Sequence, residues 1–444
     1  MLVIGFTFVF VLLIVYCNYL YSRHPKAIPF LLLYIFELAW ILASIIYIEH
    51  GTYISEIADY SYATGATVRF LLVVLPFCIC APVFLDRRIR TKDVYMLRIG
   101  EMRAPKDALL FGASLICVYV FVNVLISGNV FTNSNITKGN FYSNYSKLPL
   151  AGEFGAAYLK LSVFILGIYA FDLKNSQSKR RLAITMFFMA VFSKVAVGEK
   201  FYGIYTLVFC FFLYKLILLT KNIKQGHHMQ IKQIVIAGGI FLIAFLCVYQ
   251  LGYIKSSKLE YLMAFTKSDN AFDAMLSRTL ALQGHTWWGI DRVLVETKQF
   301  FGDFDQAIRE LKAALLDVSV YDGTIGLGRI MYMVAPYNIA NSYLSGHTRF
   351  YGGYWTVFVS FFGYAGAMLF GILVAYLFAV TYSTLYKSIK NSSYFCASIC
   401  LLYSLNLYEF FRIGNLSLLF TKRAIIRFVL ILIMNASFSK RRRL

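Results

Sequence analysis

The sequence predicts an all-α integral membrane protein of about eleven transmembrane helices, interrupted by one large, partly helical loop on the exterior side. The first observation is composition: of 444 residues, 59% are hydrophobic and only 15% are charged, against roughly 25% charge in an average soluble domain. The second is a repeated apolar stretch of about 20 residues, the length that crosses a bilayer. The third is the absence of such a stretch between residues 255 and 352.

Eleven stretches have the length and composition of a membrane span. They lie at residues 1–21, 27–48, 67–85, 108–126, 152–172, 182–197, 201–219, 234–254, 353–380, 394–411 and 424–438. Two of them, 182–197 and 424–438, are short for a span. The stretch 353–380 is long enough to tilt, to begin outside the membrane, or to kink at Gly363 or Gly366. An even number of spans therefore stays open.

The predicted organisation has three parts. Spans one to eight occupy residues 1–254, the exterior loop occupies 255–352, and spans nine to eleven with a basic tail occupy 353–444. We expect one membrane domain, because neither an internal repeat nor a low-complexity segment separates these parts.

The basic residues predict the orientation of the chain. The formal net charge is +21, and the lysines and arginines concentrate in alternate loops, as in 87–106 and in the tail 440–443, whereas 49–66 has none. Basic loops stay on the cytoplasmic side of a membrane, so the N-terminus is predicted outside and the C-terminus inside. The charge then serves topology, with anionic lipid headgroups as its partner. No nucleic-acid partner is expected.

The exterior loop has the pattern of a folded unit. It contains ten basic and ten acidic residues, and apolar residues recur in it at helical spacing. The two apolar rows are Phe272, Met275, Leu276 and Leu280, and then Ile308, Leu311, Leu315 and Val318. Asn270, three residues before Asp273, predicts the start of the first helix, and Asp305 is predicted to cap the second. Such helices pack on the domain or lie in the headgroup layer.

One stretch of this loop, SRTLALQGHTWWGIDR at 277–292, carries most of its candidate functional residues. Arg278, His285 and Arg292 are spaced by seven, about two helical turns, so they form one stripe if the helix continues through Gly284. Arginine binds phosphate oxygens through two parallel hydrogen bonds. The stripe therefore predicts a site for an anionic, partly apolar ligand at the membrane surface.

The same stretch contains two adjacent indoles, Trp287 and Trp288. An indole can stack on a sugar ring or sit among lipid headgroups. An alternative interpretation is that both indoles are interfacial anchors and that Arg278 pairs with an acidic neighbour, Asp273 or Asp291. Spacing alone leaves both interpretations open.

A second cluster of a cation with aromatic residues lies at the end of the loop, in SGHTRFYGGYWTVF. It contains His347, Arg349 and Tyr351 directly before the next span. The position predicts a second part of the same ligand site, where the chain re-enters the lipid.

A third cationic point is the short turn GEKF between the sixth and seventh spans. Glu199 and Lys200 lie there at the edge of the hydrocarbon, where charges are costly unless they are paired or line a wet cavity. The alternative is a plain ion pair of Glu199 with Lys200 or with Lys194.

Motifs of soluble enzymes are absent from the sequence. It contains neither a P-loop nor an H-E-x-x-H run, and its six histidines form no recognisable metal site. Asp303 and Asp305 form a D-x-D pattern, but two aspartates directly before a predicted helix are also explained by capping. We therefore expect no metal and no cofactor.

The chain resembles the O-antigen polymerases of Gram-negative bacteria and related polysaccharide polymerases and ligases. The resemblance covers the layout of spans with one large exterior loop in the later half. As sequence it covers three stretches, GEKFYGIYTLVFCFFLY, SRTLALQGHTWW and HTRFYGGYWTVFVSFFGYAGAMLFG. A departure is Lys200, where relatives often carry arginine; lysine is a compact donor without the guanidinium fork.

The resemblance implies a glycosyltransferase of the bacterial inner membrane, with the large loop in the periplasm. Such enzymes move a growing glycan from undecaprenyl diphosphate onto the non-reducing end of the next lipid-linked repeat unit. Membrane lipids, a chain-length regulator and a flippase are the further partners it implies. In this sequence the phosphate-holding residues would be Arg278, Arg349 and Lys200, then Arg292 and Arg329; the base would be His285, His347 or Glu199; and Trp287, Trp288 and Tyr351 would contact the substrate.

Three rival functions share parts of this pattern. An O-antigen ligase has the same architecture and loop chemistry but transfers the glycan to lipid A core. A flippase for lipid-linked oligosaccharides distributes its cationic groups along several spans, whereas here they cluster in one loop. A membrane scaffold without enzymatic activity would tolerate the loss of Arg278 and Arg349.

Overall fold

The structure is a computed structural model. It describes residues 2–90, 106–133, 136, 140–172, 175–199, 201–221, 258–299, 301–316, 318, 322–346 and 349–439. The chain divides into two compact units. The first unit comprises residues 1–94, 247–384 and 403–444, and the second comprises 95–246 and 385–402.

The described chain is almost entirely helical. In chain order the helices are α1 (Leu2–Arg23), α2 (Ile28–Glu49), α3 (Ala66–Arg90), α4 (Lys106–Ser127), α5 (Leu159–Phe171), α6 (Gln177–Ala196), α7 (Phe201–Lys221), α8 (Lys258–Thr266), α9 (Ala271–Glu296), α10 (Phe304–Leu315), α11 (Gly326–Val334), α12 (Tyr337–Ser345), α13 (Gly353–Lys390), α14 (Tyr394–Ile413), α15 (Ser417–Phe420) and α16 (Lys422–Ser439). A small antiparallel hairpin, β1 (Tyr53–Ile54) with β2 (Asp59–Tyr60), lies between α2 and α3.

Among the described residues, eight helices are long and apolar enough to cross a membrane. These spans are Val3–Arg23, Pro25–Glu49, Ala66–Ile89, Asp107–Ser127, Ala151–Phe171, Tyr202–Leu219, Gly353–Lys390 and Tyr394–Ile413. The prediction of an all-α, multi-pass membrane protein is therefore confirmed. The predicted spans 182–197 and 424–438 form helices α6 and α16, which are not among the eight, and 234–254 lies outside the described residues.

The long helix α13 is broken at Gly363, one of the two positions where a kink is expected. Gly363 has φ 67° and ψ −176°, a conformation that side chains rarely allow. The break leaves the carbonyl of Ser360 available, and it accepts a hydrogen bond of 2.9 Å from the backbone N–H of Asp303. The turn before α10 is thus fixed on the broken span. Membrane helices tolerate such breaks where neighbouring groups replace the lost hydrogen bonds.

Helix α9 begins where the sequence predicts. Asn270 is its N-cap, and its side-chain oxygen accepts a 2.8 Å hydrogen bond from the N–H of Asp273. The helix continues through Gly284 to Glu296, as the predicted stripe of Arg278, His285 and Arg292 requires. Gly284 touches α2: its N–H donates to Ser44 Oγ at 2.7 Å, and a Cβ there would lie 2.8 Å from the same atom. The glycine therefore permits close packing of α9 on α2.

The capping prediction for α10 is wrong. Asp303, not Asp305, is the N-cap, and its side chain makes no capping hydrogen bond; Asp305 lies in the first turn. The carboxylate of Asp303 accepts from Arg329 Nη2 at 3.3 Å and makes no hydrogen bond to the first turn of α10. The predicted apolar row of this helix is exposed, while Ala307 and Glu310 are buried. In a membrane protein, an exposed apolar face is typical of contact with lipid.

Candidate functional site

Arg278 binds Glu56, a carboxylate on the turn between β1 and β2. The guanidinium contacts Oε1 of Glu56, and the Tyr343 hydroxyl donates to the same oxygen at 3.2 Å. The Ser55 hydroxyl donates to Oε2 at 2.9 Å. The side chain of Glu56 is 2% exposed and that of Arg278 is 31% exposed. A buried carboxylate thus fixes a guanidinium that stays partly open to a ligand.

The charges around Glu56 keep it ionised. Burial works against the ionised form, but the basic groups His285 and Arg278 and the Ser55 hydroxyl outweigh burial and lower the pKa of Glu56 below its ordinary value. The alternative partners expected for Arg278, Asp273 and Asp291, are both wrong, because the partner comes from the loop at 49–66.

His285 lies on α9, seven residues after Arg278, and is fully buried. Its Nδ1 lies 2.9 Å from the carbonyl of Leu282, and its Nε2 lies 3.3 Å from the Thr286 hydroxyl. The ring of Phe350 covers it at 4.9 Å between centroids. Burial lowers the pKa of His285, although the nearby carboxylate of Glu56 raises it. Its ring nitrogens are occupied within the protein.

Arg292, the third residue of the stripe, pairs with Asp59 at 2.7 Å and lies over the indole of Trp288 at 4.8 Å. Trp287 and Trp288 are both buried, and their indole N–H groups donate to the backbone carbonyls of Ala66 and Tyr62 at 3.0 and 3.1 Å. Both indoles thus pack α9 against the start of α3. Contact with a sugar would require them to become exposed.

A buried ion pair that sequence reasoning missed lies at the end of α9. Arg69 binds both oxygens of Asp291 at 2.6 Å, and the Tyr364 hydroxyl donates to one of them at 2.7 Å. Asp291 is fully buried. The pair connects α3, α9 and α13 next to the break in α13. Such a bidentate pair with an extra donor fixes the position of the helix that carries Arg278.

Arg349 lies beside a second buried carboxylate, Glu310. These two residues, together with Asn415 and Ser417, line a space of about 10 Å³, which is room for one water molecule. Glu310 Oε1 accepts a 3.2 Å hydrogen bond from the N–H of Leu416. Burial raises the pKa of Glu310 to about 7, although that N–H and the charge of Arg349 both lower it.

Arg329 and Tyr351 occupy two further positions in the first unit. Arg329 Nη2 pairs with Asp303 at 3.3 Å at the edge of a cavity of about 680 Å³. The ring of Tyr351 is covered by the guanidinium of Arg412 at 5.2 Å. Its hydroxyl is buried without a hydrogen-bond partner in the described part of the chain.

Glu199 belongs to the second unit. It is buried and pairs with Lys194 at 3.5 Å, which agrees with the ion-pair interpretation of this turn. Two other candidate site residues, Lys200 and His347, lie outside the described residues. Among the described residues, no group of three or more His, Cys, Asp or Glu side chains has the arrangement of a metal site.

The structure brings only some of the predicted residues together. Arg278 and His285 share the surroundings of Glu56, where Phe350 packs on His285 and Tyr343. Arg349, the residue before Phe350, lines the separate small space beside Glu310. Arg278, His285 and Arg292 therefore lie along one continuous helix, as the stripe requires. Both arginines, however, form ion pairs with carboxylates of the hairpin, Glu56 and Asp59. The one sequence signal for this was the loop 49–66, which is acidic and has no lysine or arginine.

The fold and this set of buried charge pairs define a multi-pass α-helical membrane protein with a folded segment between two spans. Residues 321–428 match a family of unknown function (DUF6418). The matched region begins before α11 and ends in α16, and it includes Arg329, Arg349 and Tyr351. No curated protein matches the chain, and no solved structure matches it.

Proposed function

We propose that the protein is a glycan polymerase of the bacterial inner membrane. It transfers a growing chain from undecaprenyl diphosphate to the non-reducing end of the next lipid-linked repeat unit, at the periplasmic face. The observation that carries the proposal is Arg278, a partly exposed guanidinium fixed by the buried Glu56 and by Tyr343 on a helix between membrane spans. The N-terminus is then periplasmic and the C-terminus cytoplasmic, as the distribution of basic residues predicts.

The reaction needs groups that hold a diphosphate before it leaves. The acceptor hydroxyl attacks the anomeric carbon, the bond from that carbon to the diphosphate oxygen breaks, and undecaprenyl diphosphate departs with the electron pair. A cation that is already oriented stabilises this departing charge without reorganisation. Glu56 and Tyr343 provide that orientation for Arg278, and Arg349 supplies a second cation in the same loop.

The acceptor proton needs a base within hydrogen-bond reach. His285 does not offer a free nitrogen in this structure, because Leu282 and Thr286 engage both ring atoms and the residue is buried. Glu199 is likewise buried and paired with Lys194. We therefore assign His285 a positioning role below Phe350, and keep His347 as the candidate for the base.

The proposal is tested by complementing a deletion strain with single variants and comparing surface polysaccharide ladders at matched protein levels. Arg278→Ala and Arg349→Ala should leave one repeat on lipid A core and remove the longer rungs, and Lys200→Arg should keep part of the polymer. Arg309→Ala is the matched control, since Arg309 is an exposed arginine of the same segment. A parental ladder from both arginine variants contradicts the phosphate-holding role, as a scaffold would predict.

A further inference from the structure

A cavity of about 680 Å³ lies beside the break in α13. The turn before α10 forms one wall, because Asp303 donates to Ser360, and Gly302 approaches the backbone of the broken segment so closely that a Cβ would lie 2.6 Å from the nitrogen of Gly363. Helix α11 forms another wall through Arg329 and Met333. Its volume is within the range of about 300–1,000 Å³ that is usual for small-molecule sites.

The polar groups of the cavity suit an uncharged ligand rich in hydroxyl groups. Two bases, Lys298 and Arg329, and two acids, Asp303 and Asp305, line it, so their formal charges cancel. A phosphate site would need an excess of positive charge. Arg329 Nη2 binds Asp303, and its Nη1 is buried, whereas the side chain of Lys298 is exposed and can donate to a ligand.

The cavity also carries apolar surface that has no protein cover in the described part of the chain. Phe301 is 93% exposed and Phe304 is 61% exposed, and both line the cavity. Aromatic rings stack on the apolar faces of sugar rings. Phe304 also begins the exposed apolar row of α10, which continues with Ile308 and Leu311, and such a face is typical of contact with lipid. A cavity next to a face of this kind is within reach of a lipid-anchored glycan.

We propose that this cavity is a carbohydrate-binding site that holds one uncharged sugar residue of the lipid-linked glycan, between the ring of Phe304 and the polar groups of Asp305 and Arg329. This proposal rests on the proposed function. In it, the cations near Arg278 and Arg349 bind the diphosphate, and the cavity binds the sugar. Carboxylates accept from sugar hydroxyls while the guanidinium and ammonium groups donate to them.

The test is a binding measurement on the purified full-length protein in detergent. The probe is the repeat-unit oligosaccharide that mild acid releases from the lipid-linked fraction of the deletion strain, titrated calorimetrically. Phe304→Leu removes the ring but keeps an apolar side chain toward lipid, and Asp305→Ala removes an acceptor. Each should weaken binding about tenfold. Phe304→Tyr should retain parental affinity, as should Asp269→Ala, since Asp269 is an exposed carboxylate outside the cavity.

Two outcomes would overturn the site. One is unchanged affinity in both Phe304→Leu and Asp305→Ala. The other is competition by sodium diphosphate that is lost in an Arg329→Gln variant, which would make the cavity a phosphate site. Failure of the proposed function is a separate result, since it appears as a parental glycan in the deletion strain, without any binding measurement.

Discussion

Replacing Glu310 with glutamine should make the first unit more stable at alkaline pH and leave it almost unchanged at acidic pH. Glu310 is 3% exposed; its Oε1 accepts from the Leu416 N–H, and its Oε2 has no hydrogen-bond partner among the described residues. Burial raises the pKa of this carboxyl to about 7 from an ordinary value of 4.5. Glutamine has nearly the same shape and keeps the acceptor for Leu416, but it never ionises.

The direction and the size of this effect on the free energy of unfolding follow from proton linkage. Between pH 4.5 and about 7 the folded chain holds a proton on Glu310 that the unfolded chain has released. The free energy of unfolding therefore falls as pH rises through this window. The shift in pKa corresponds to about 3 kcal/mol, at roughly 1.4 kcal/mol for each pKa unit. Glu310→Gln should thus exceed the parent by up to about 3 kcal/mol at pH 8 and match it below pH 4.5.

The assay is thermal or denaturant unfolding of the purified protein in detergent, followed by tryptophan fluorescence at several pH values. All four tryptophans, Trp40, Trp287, Trp288 and Trp355, belong to the first unit, so they report on the unit that contains Glu310. Glu260→Gln, at an exposed glutamate of α8, is the matched control. Parallel pH curves for parent and Glu310→Gln would contradict a raised pKa of Glu310 in the folded chain. Loss of stability in the variant at pH 8 would show instead that Glu310 is ionised and paired.

Three other changes have defined outcomes. Asp291→Asn leaves Arg69 without its charged partner and should reduce the free energy of unfolding by about 3 kcal/mol in the same assay; parental stability would mean that the pair contributes nothing. Gly284→Val places a branched side chain against the backbone of α2 and should lower stability by about 2 kcal/mol or more, and an unchanged midpoint would argue against close packing of α9. Glu56→Gln should shorten the polysaccharide ladder although Arg278 is intact, because the guanidinium loses its orienting charge; a full ladder would remove that role from Glu56.

Local signals made several elements of the fold predictable. The start of α9 at Asn270 follows from a capping pattern within four residues, and the break in α13 was one of a few options at a glycine inside an overlong apolar stretch. The spacing of apolar residues predicts that α9 and α10 are helices. Each of these depends on neighbours in the chain, and therefore on information that a short window contains.

The charge pairs of the candidate site could not be predicted in the same way. Arg278 and Glu56 are 222 residues apart in the chain, and so are Arg69 and Asp291. Nothing in a single sequence selects these partners over nearer carboxylates such as Asp273. The burial of Trp288 could not be predicted for a similar reason, because the residues that contact it belong to the loop before α3, far away in the chain.

We propose that this chain lengthens a lipid-linked glycan. The surface polysaccharide ladder of a strain deleted for its gene, compared with the parent and the complemented strain, tests this directly. We expect a single repeat on lipid A core, loss of every longer rung, and full recovery on complementation. An unchanged ladder would contradict the claim, and loss of the single repeat as well would assign the protein to ligation, flipping or an earlier step.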